Sequence, residues 1–125
     1  MIQLIFHLVG DYVTQSDWMA QNKTKAHWPA LCHAWVYSLP FVFIASWPAY
    51  VVILVTHFFI DRYRLARYVV YAKNWLAPSS TWHPWSECSG TGYHKDSPPW
   101  LAVWLMIAAD NTIHLAINAA SIAWL

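Results

Sequence analysis

The sequence predicts an all-α fold: a polytopic membrane protein built as an up-and-down four-helix transmembrane bundle. Three observations lead there. The chain is 58% hydrophobic and only 10% charged, against about 25% charged residues in soluble domains. Ten tryptophans and a mean hydropathy of +0.31 point the same way. Four apolar stretches of helical length are separated by polar or proline-containing joints. At 125 residues, a single domain over 1–125 is expected. A net charge of +1 with no basic groove or phosphate-binding loop gives no sign of a nucleic-acid partner. Cys32 and Cys88 make no disulfide framework and are expected as free thiols. The first residues lack a basic region, and Asp11 interrupts their apolar run, so a cleaved signal peptide is not expected.

The first helix, about 2–15, carries His7, Asp11 and Gln15 on one stripe. It is short against the ~20 residues a span usually needs. Ser16 and Asp17 can cap a further short turn through Trp18 and Met19. The second helix, about 26–45, tolerates Pro29 in its first turns and is kinked at Pro40. Ser46 caps the third helix, about 48–76, which is longer than a bilayer core requires. Its C-terminal end, with Arg62, Arg64, Arg67 and Lys73, is expected to emerge among headgroups or bend along them. Residues 78–97 form a loop rich in Ser, Pro, Gly and Trp, either a lid or a plain connector. The fourth helix, about 98–125, starts after Ser97 and offers Ala109, Ala116 and Ala120 for close packing.

All seven Lys and Arg fall in or beside the first and third connections. The positive-inside rule makes that side cytoplasmic, with both termini outside and the protein multi-pass in the inner membrane.

Three histidine–aspartate pairs at a spacing of four carry the chemistry: His7/Asp11, His57/Asp61 and Asp110/His114. Positions i and i+4 share a helix face. The last pair is written in the opposite order on a helix expected to run the opposite way. The up-and-down fold therefore stacks a layer of imidazoles (His7, His57, His114) over a layer of carboxylates (Asp11, Asp61, Asp110), about one helical turn apart. His33, near the inner end of the second helix, can join the carboxylates. Ionisable groups inside a membrane cost about 2.5 kcal/mol or more each, and a divalent cation compensates them well. Imidazole nitrogen and carboxylate oxygen suit zinc above all, with iron or manganese as alternatives, as one ion or two bridged by Asp. The expected metal ligands are His7, Asp11, His57, Asp61, Asp110 and His114, with Asp11, Asp61 and His33 in catalytic roles. Tyr37, Gln15, Asn111 and Asn118 are expected to pack or to support these groups, and Arg64 to anchor among headgroups. His83, Cys88 and His94 offer zinc ligands in the loop at a poor spacing.

The residues His7-x-x-x-Asp11-x-x-x-Gln15-x-Asp17-Trp18-Met19-Ala20-x-Asn22-Lys23, His33, His57-Phe58-x-Ile60-Asp61 and Asp110-x-x-x-His114 resemble domain of unknown function 3307. The resemblance covers nearly the whole chain. It implies a small membrane protein of bacteria or bacteriophages and supports the site residues rather than any reaction. The family usually has a second histidine where Tyr37 stands, and often Gln where Asn111 stands. More loosely, the His/Asp motifs look like those of proteins labelled membrane-bound metal-dependent hydrolases.

The function expected is hydrolysis of a lipid or lipid-linked substrate reached from the cytoplasmic leaflet, with membrane lipids as partners. The metal would lower the pKa of a bound water toward ~7. One rival is a proton or metal-ion relay using the same groups. The other is a small phage-type membrane or partner-binding protein whose polar core only fixes packing.

Overall fold

The computed structural model describes residues 1–125, and every regular element in it is helical. α1, Ile2–Leu8, runs into a π-helical turn, Val9–Val13. There follow α2 (Asp17–Asn22), α3 (His27–Ser38), α4 (Trp47–Tyr63), α5 (Ala66–Lys73), α6 (Trp85–Cys88) and α7 (Pro99–Trp124). The chain divides into two compact units, Met1–Arg64 with His114–Leu125, and Leu65–Ile113. The expected all-α class holds. Of the four spanning helices foreseen, α7 alone is long and apolar enough to cross a membrane; Ile2–Val13 is a shorter apolar helix.

In the first unit, two serines set helix starts as their positions foretell. Ser16 Oγ accepts from the Met19 N–H and Ser46 Oγ from the Ala49 N–H, each at 3.3 Å. The helix expected over 26–45 changes at Pro40, where α3 gives way to a 3-10 turn, Leu39–Phe43. Proline has no N–H to continue the ladder. The single helix expected over 48–76 is broken. Arg64 takes the left-handed conformation (φ 53°, ψ 50°), its N–H turns back to Asp61 O at 3.3 Å, and α5 begins only at Ala66. Glycine usually supplies such a stop, and none stands here.

The π turn of the first helix packs against α3. A Cβ on Gly10 would sit 2.5 Å from Tyr37 Cδ2 and 3.2 Å from Tyr37 Cα. Only a residue without a side chain lets α3 approach this far. Below that contact Tyr37, Phe41, Tyr50 and Ile53 make the apolar core, with Phe6 edge-on to Phe41 at 5.8 Å. The polarity is inverted relative to a soluble bundle. Ile5, Leu8, Trp35, Val51, Val55 and Phe59 are exposed, whereas His7, His33, His57, His114 and Asn118 are buried.

In the second unit the 78–97 segment is folded against α5 rather than strung between helices. Trp85 of α6 stacks on Tyr68 at 4.8 Å, Arg67 Nη1 donates to Ser89 O at 3.0 Å, and Asn74 Nδ2 donates to Gly92 O at 3.0 Å. Gly92 turns the chain at φ 89°, its N–H on Cys88 O at 2.7 Å. Cys88 is buried and both cysteines are free, and burial pushes the Cys88 thiol pKa up.

Candidate metal centre

Four donor atoms of the first unit converge inside it. They are Asp11 Oδ1 from the π turn, His33 Nε2 from α3, and His57 Nε2 and Asp61 Oδ2 from α4. His33 Nε2 lies 3.2 Å from Asp11 Oδ1 and 3.1 Å from Asp61 Oδ2. His57 Nε2 lies 3.5 Å from Asp11 Oδ1 and 3.2 Å from Asp61 Oδ2. The two Nε2 atoms are 3.0 Å apart. Five of the six separations thus fall between 3.0 and 3.5 Å. Donors ~2.0–2.1 Å from a zinc ion, tetrahedrally arranged, are separated by ~3.3–3.4 Å. All four residues are at least nine-tenths buried, and the group could hold a metal ion.

Each carboxylate turns one oxygen to this cluster and the other to a further histidine. Asp11 Oδ2 lies 3.4 Å from His7 Nδ1, and Asp61 Oδ1 lies 3.3 Å from His114 Nε2. Such outer contacts fix the orientation of a ligating carboxylate. Tyr37 ties the parts together. Its ring stacks on His57 with centroids 3.5 Å apart and planes 14° apart. Its hydroxyl accepts from Asn118 Nδ2 at 2.7 Å and lies 2.9 Å from His7 Nδ1. Tyr37 was expected to pack, and it does, but it also joins His7 to α7.

A positive charge already reaches the cluster. Lys23 Nζ donates to Asp61 Oδ2 at 2.8 Å and is 3.4 Å from His33 Nε2. Its side chain is 19% exposed, so the ammonium stands at the lip of the buried group. Arg62 secures the loop that carries it, donating through Nη1 to Thr24 O at 2.8 Å and through Nε to His27 Nδ1 at 3.3 Å. The Nδ1 atoms of His33 and His57 are buried with no hydrogen-bond partner. Both rings therefore make their polar contacts through Nε2, on the side of the converging set.

Of the sequence-predicted ligands, Asp11, His57 and Asp61 stand in the four-donor group. His7 and His114 stand behind its carboxylates. Asp110 lies one turn before His114 on α7. His33, expected among the catalytic groups, supplies one of the four donors. Two parallel layers would need α-helical spacing throughout. In the structure the first helix carries a π turn at Val9–Val13, and His33 is fully buried among the donors. Lys23 was missed as a site residue. The signal available was its place at the end of the first sequence motif, in a loop otherwise read for membrane orientation.

The family model for a protein of unknown function (DUF3307) matches residues 1–80. That range holds all four donors and Lys23. No curated protein and no solved structure matches the chain.

Proposed function

We propose that this chain, which belongs to the DUF3307 family, is a membrane protein that holds a divalent metal ion, zinc first, on Asp11, His33, His57 and Asp61. The near-tetrahedral separation of their donor atoms, 3.0–3.5 Å, is the observation that carries the reading. Two carboxylates and two neutral imidazoles balance a doubly charged cation, which removes most of the cost of burying them. The membrane part rests on the inverted polarity of the first unit and on α7. An apolar exterior over a polar interior suits lipid as solvent.

Bound there, the ion would supply Lewis acidity. The protein's own groups would do the rest. His7 and His114 hold the outer carboxylate oxygens, Tyr37 keeps His57 in plane, and the apolar core beyond Tyr37 excludes water. Lys23 stands at the lip, and once off Asp61 it could bind an anionic headgroup or phosphate as a point charge. Hydrolysis of a lipid or lipid-linked substrate is the reaction proposed on this basis.

A second reading has a specific observation behind it. The Lys23–Asp61 contact at 2.8 Å supplies a counter-charge without any metal, and the group would then be a polar core or a proton relay. Metal analysis of protein purified in detergent without chelator separates the two, with His57→Ala as control. One equivalent more in the wild type than in His57→Ala supports the metal centre. A wild type that holds no more metal than His57→Ala, even after zinc is added, overturns it.

A further inference from the structure

We propose that His83, Glu87 and His94 form a separate divalent-metal site in the second unit, for an ion of the zinc class, with a coordination position left for a small ligand. Sequence spacing pointed to Cys88 as the third ligand, but the fold selects its neighbour. The Cys88 side chain is buried, and the single turn Trp85–Cys88 presents Glu87 on its outer side instead. The ligand atoms of His83, Glu87 and His94 lie within 4.8 Å of one another. The two imidazole rings are 4.1 Å apart and tilted by 39°, and His94 Nε2 is 3.2 Å from Glu87 Oε2.

Two features argue for more than a surface charge pair. The first is that the backbone under each ligand is fixed. Tyr71 Oη donates to His83 O at 2.9 Å, and the Lys95 N–H donates to Glu87 O at 2.9 Å. The Gly92 turn, anchored by Asn74, then sets where His94 falls. A ligand set held in this way loses little further freedom on binding. The second is a cavity of about 220 Å³ beside the histidines, walled by Tyr71, Trp82, His83, Tyr93 and His94. Two imidazoles and one carboxylate satisfy three positions of a zinc-class ion, and zinc sites that bind a further ligand keep the fourth open. The aromatic walls favour a ligand with a flat or apolar part.

Lys95 Nζ, 3.4 Å from Glu87 Oε1, is the competing partner. It uses the other carboxylate oxygen, so His94 is the contact that an ion would replace.

The test uses the full chain in detergent and cobalt(II) as probe, followed by visible absorption and calorimetry. His57→Ala serves as background, because it removes the four-donor group of the first unit. That protein is expected to bind one equivalent of cobalt through the loop. His83→Ala, Glu87→Gln and His94→Ala, each added to it, are expected to weaken binding at least tenfold. In otherwise wild-type protein the same three changes should remove one equivalent and leave any other untouched, which covers the case in which His57→Ala fails to fold. No binding by the His57→Ala protein while it remains folded overturns the proposal. So does binding that survives all three loop substitutions. Either result leaves the first unit's site standing or falling on its own metal count.

Discussion

Lys23 and a bound metal ion would compete for the same atoms. The ammonium donates to Asp61 Oδ2 at 2.8 Å and lies 3.4 Å from His33 Nε2, and both are members of the four-donor group. An ion can enter only when that contact is given up. A hydrogen bond between two charged groups contributes about 1.5–3 kcal/mol, and each 1.4 kcal/mol is a tenfold change in affinity. Lys23→Met keeps the aliphatic stem and removes the charge. It is therefore expected to bind zinc about 10- to 100-fold more tightly than the wild type. Competition against a chromogenic chelator in detergent measures this directly. Affinity that is unchanged or weaker, together with a lower unfolding temperature, would mean that Lys23 is a permanent partner of Asp61, and the metal argument would fail with it.

Three further substitutions test the scaffold. Gly10→Ala drives a methyl group into Tyr37, whose ring cannot retreat because it is stacked on His57 and its hydroxyl is bonded to Asn118. A loss of about 1–3 kcal/mol is expected from such overpacking, read as an earlier unfolding transition in detergent. Tyr37→Phe leaves the buried Asn118 Nδ2 without its 2.7 Å acceptor and is expected to cost about 1–3 kcal/mol with no change in metal stoichiometry. Gly92→Ala places a Cβ against Arg67 O and Val70 at a positive φ. It should loosen the 78–97 segment, which is checked by faster alkylation of the buried Cys88, a thiol whose raised pKa otherwise keeps it slow.

The pairings that sequence spacing could see were those within one helix. His57 and Asp61, four apart on α4, do share a face, and both serine caps fall where a hydroxyl precedes an apolar run. Features set by neighbouring elements were out of reach. Gly10 looks like an ordinary glycine until Tyr37 is placed against it, and the π turn Val9–Val13 that carries Asp11 has no signal in the spacing. Arg64 breaks the third helix in a left-handed conformation that its residue type disfavours. Lys23 illustrates the ambiguity most sharply. A lysine in a polar loop reads as an orientation signal, yet its long stem carries the charge back into the buried group.

Four protein donors close a tetrahedron, whereas hydrolytic zinc sites keep one position open. The proposed reaction therefore needs one donor that can yield, and the separations identify it. Asp61 is held by three groups besides Lys23: His33 at 3.1 Å, His57 at 3.2 Å and, on its other oxygen, His114 at 3.3 Å. Asp11 is held more loosely, with His33 at 3.2 Å, His57 at 3.5 Å and His7 at 3.4 Å. It also sits on a π turn, a helical irregularity frequent at functional sites. Asp11→Asn is therefore expected to retain metal with affinity lowered about tenfold or less, and Asp61→Asn to lose it altogether, a difference of at least ~1.4 kcal/mol. Cobalt absorption reports both occupancy and coordination number, and the Asp11→Asn spectrum should shift toward a more open geometry. Equal and complete loss of this centre's metal from both variants would describe a closed structural site, and the hydrolytic reading would have to be abandoned while the metal centre itself survived.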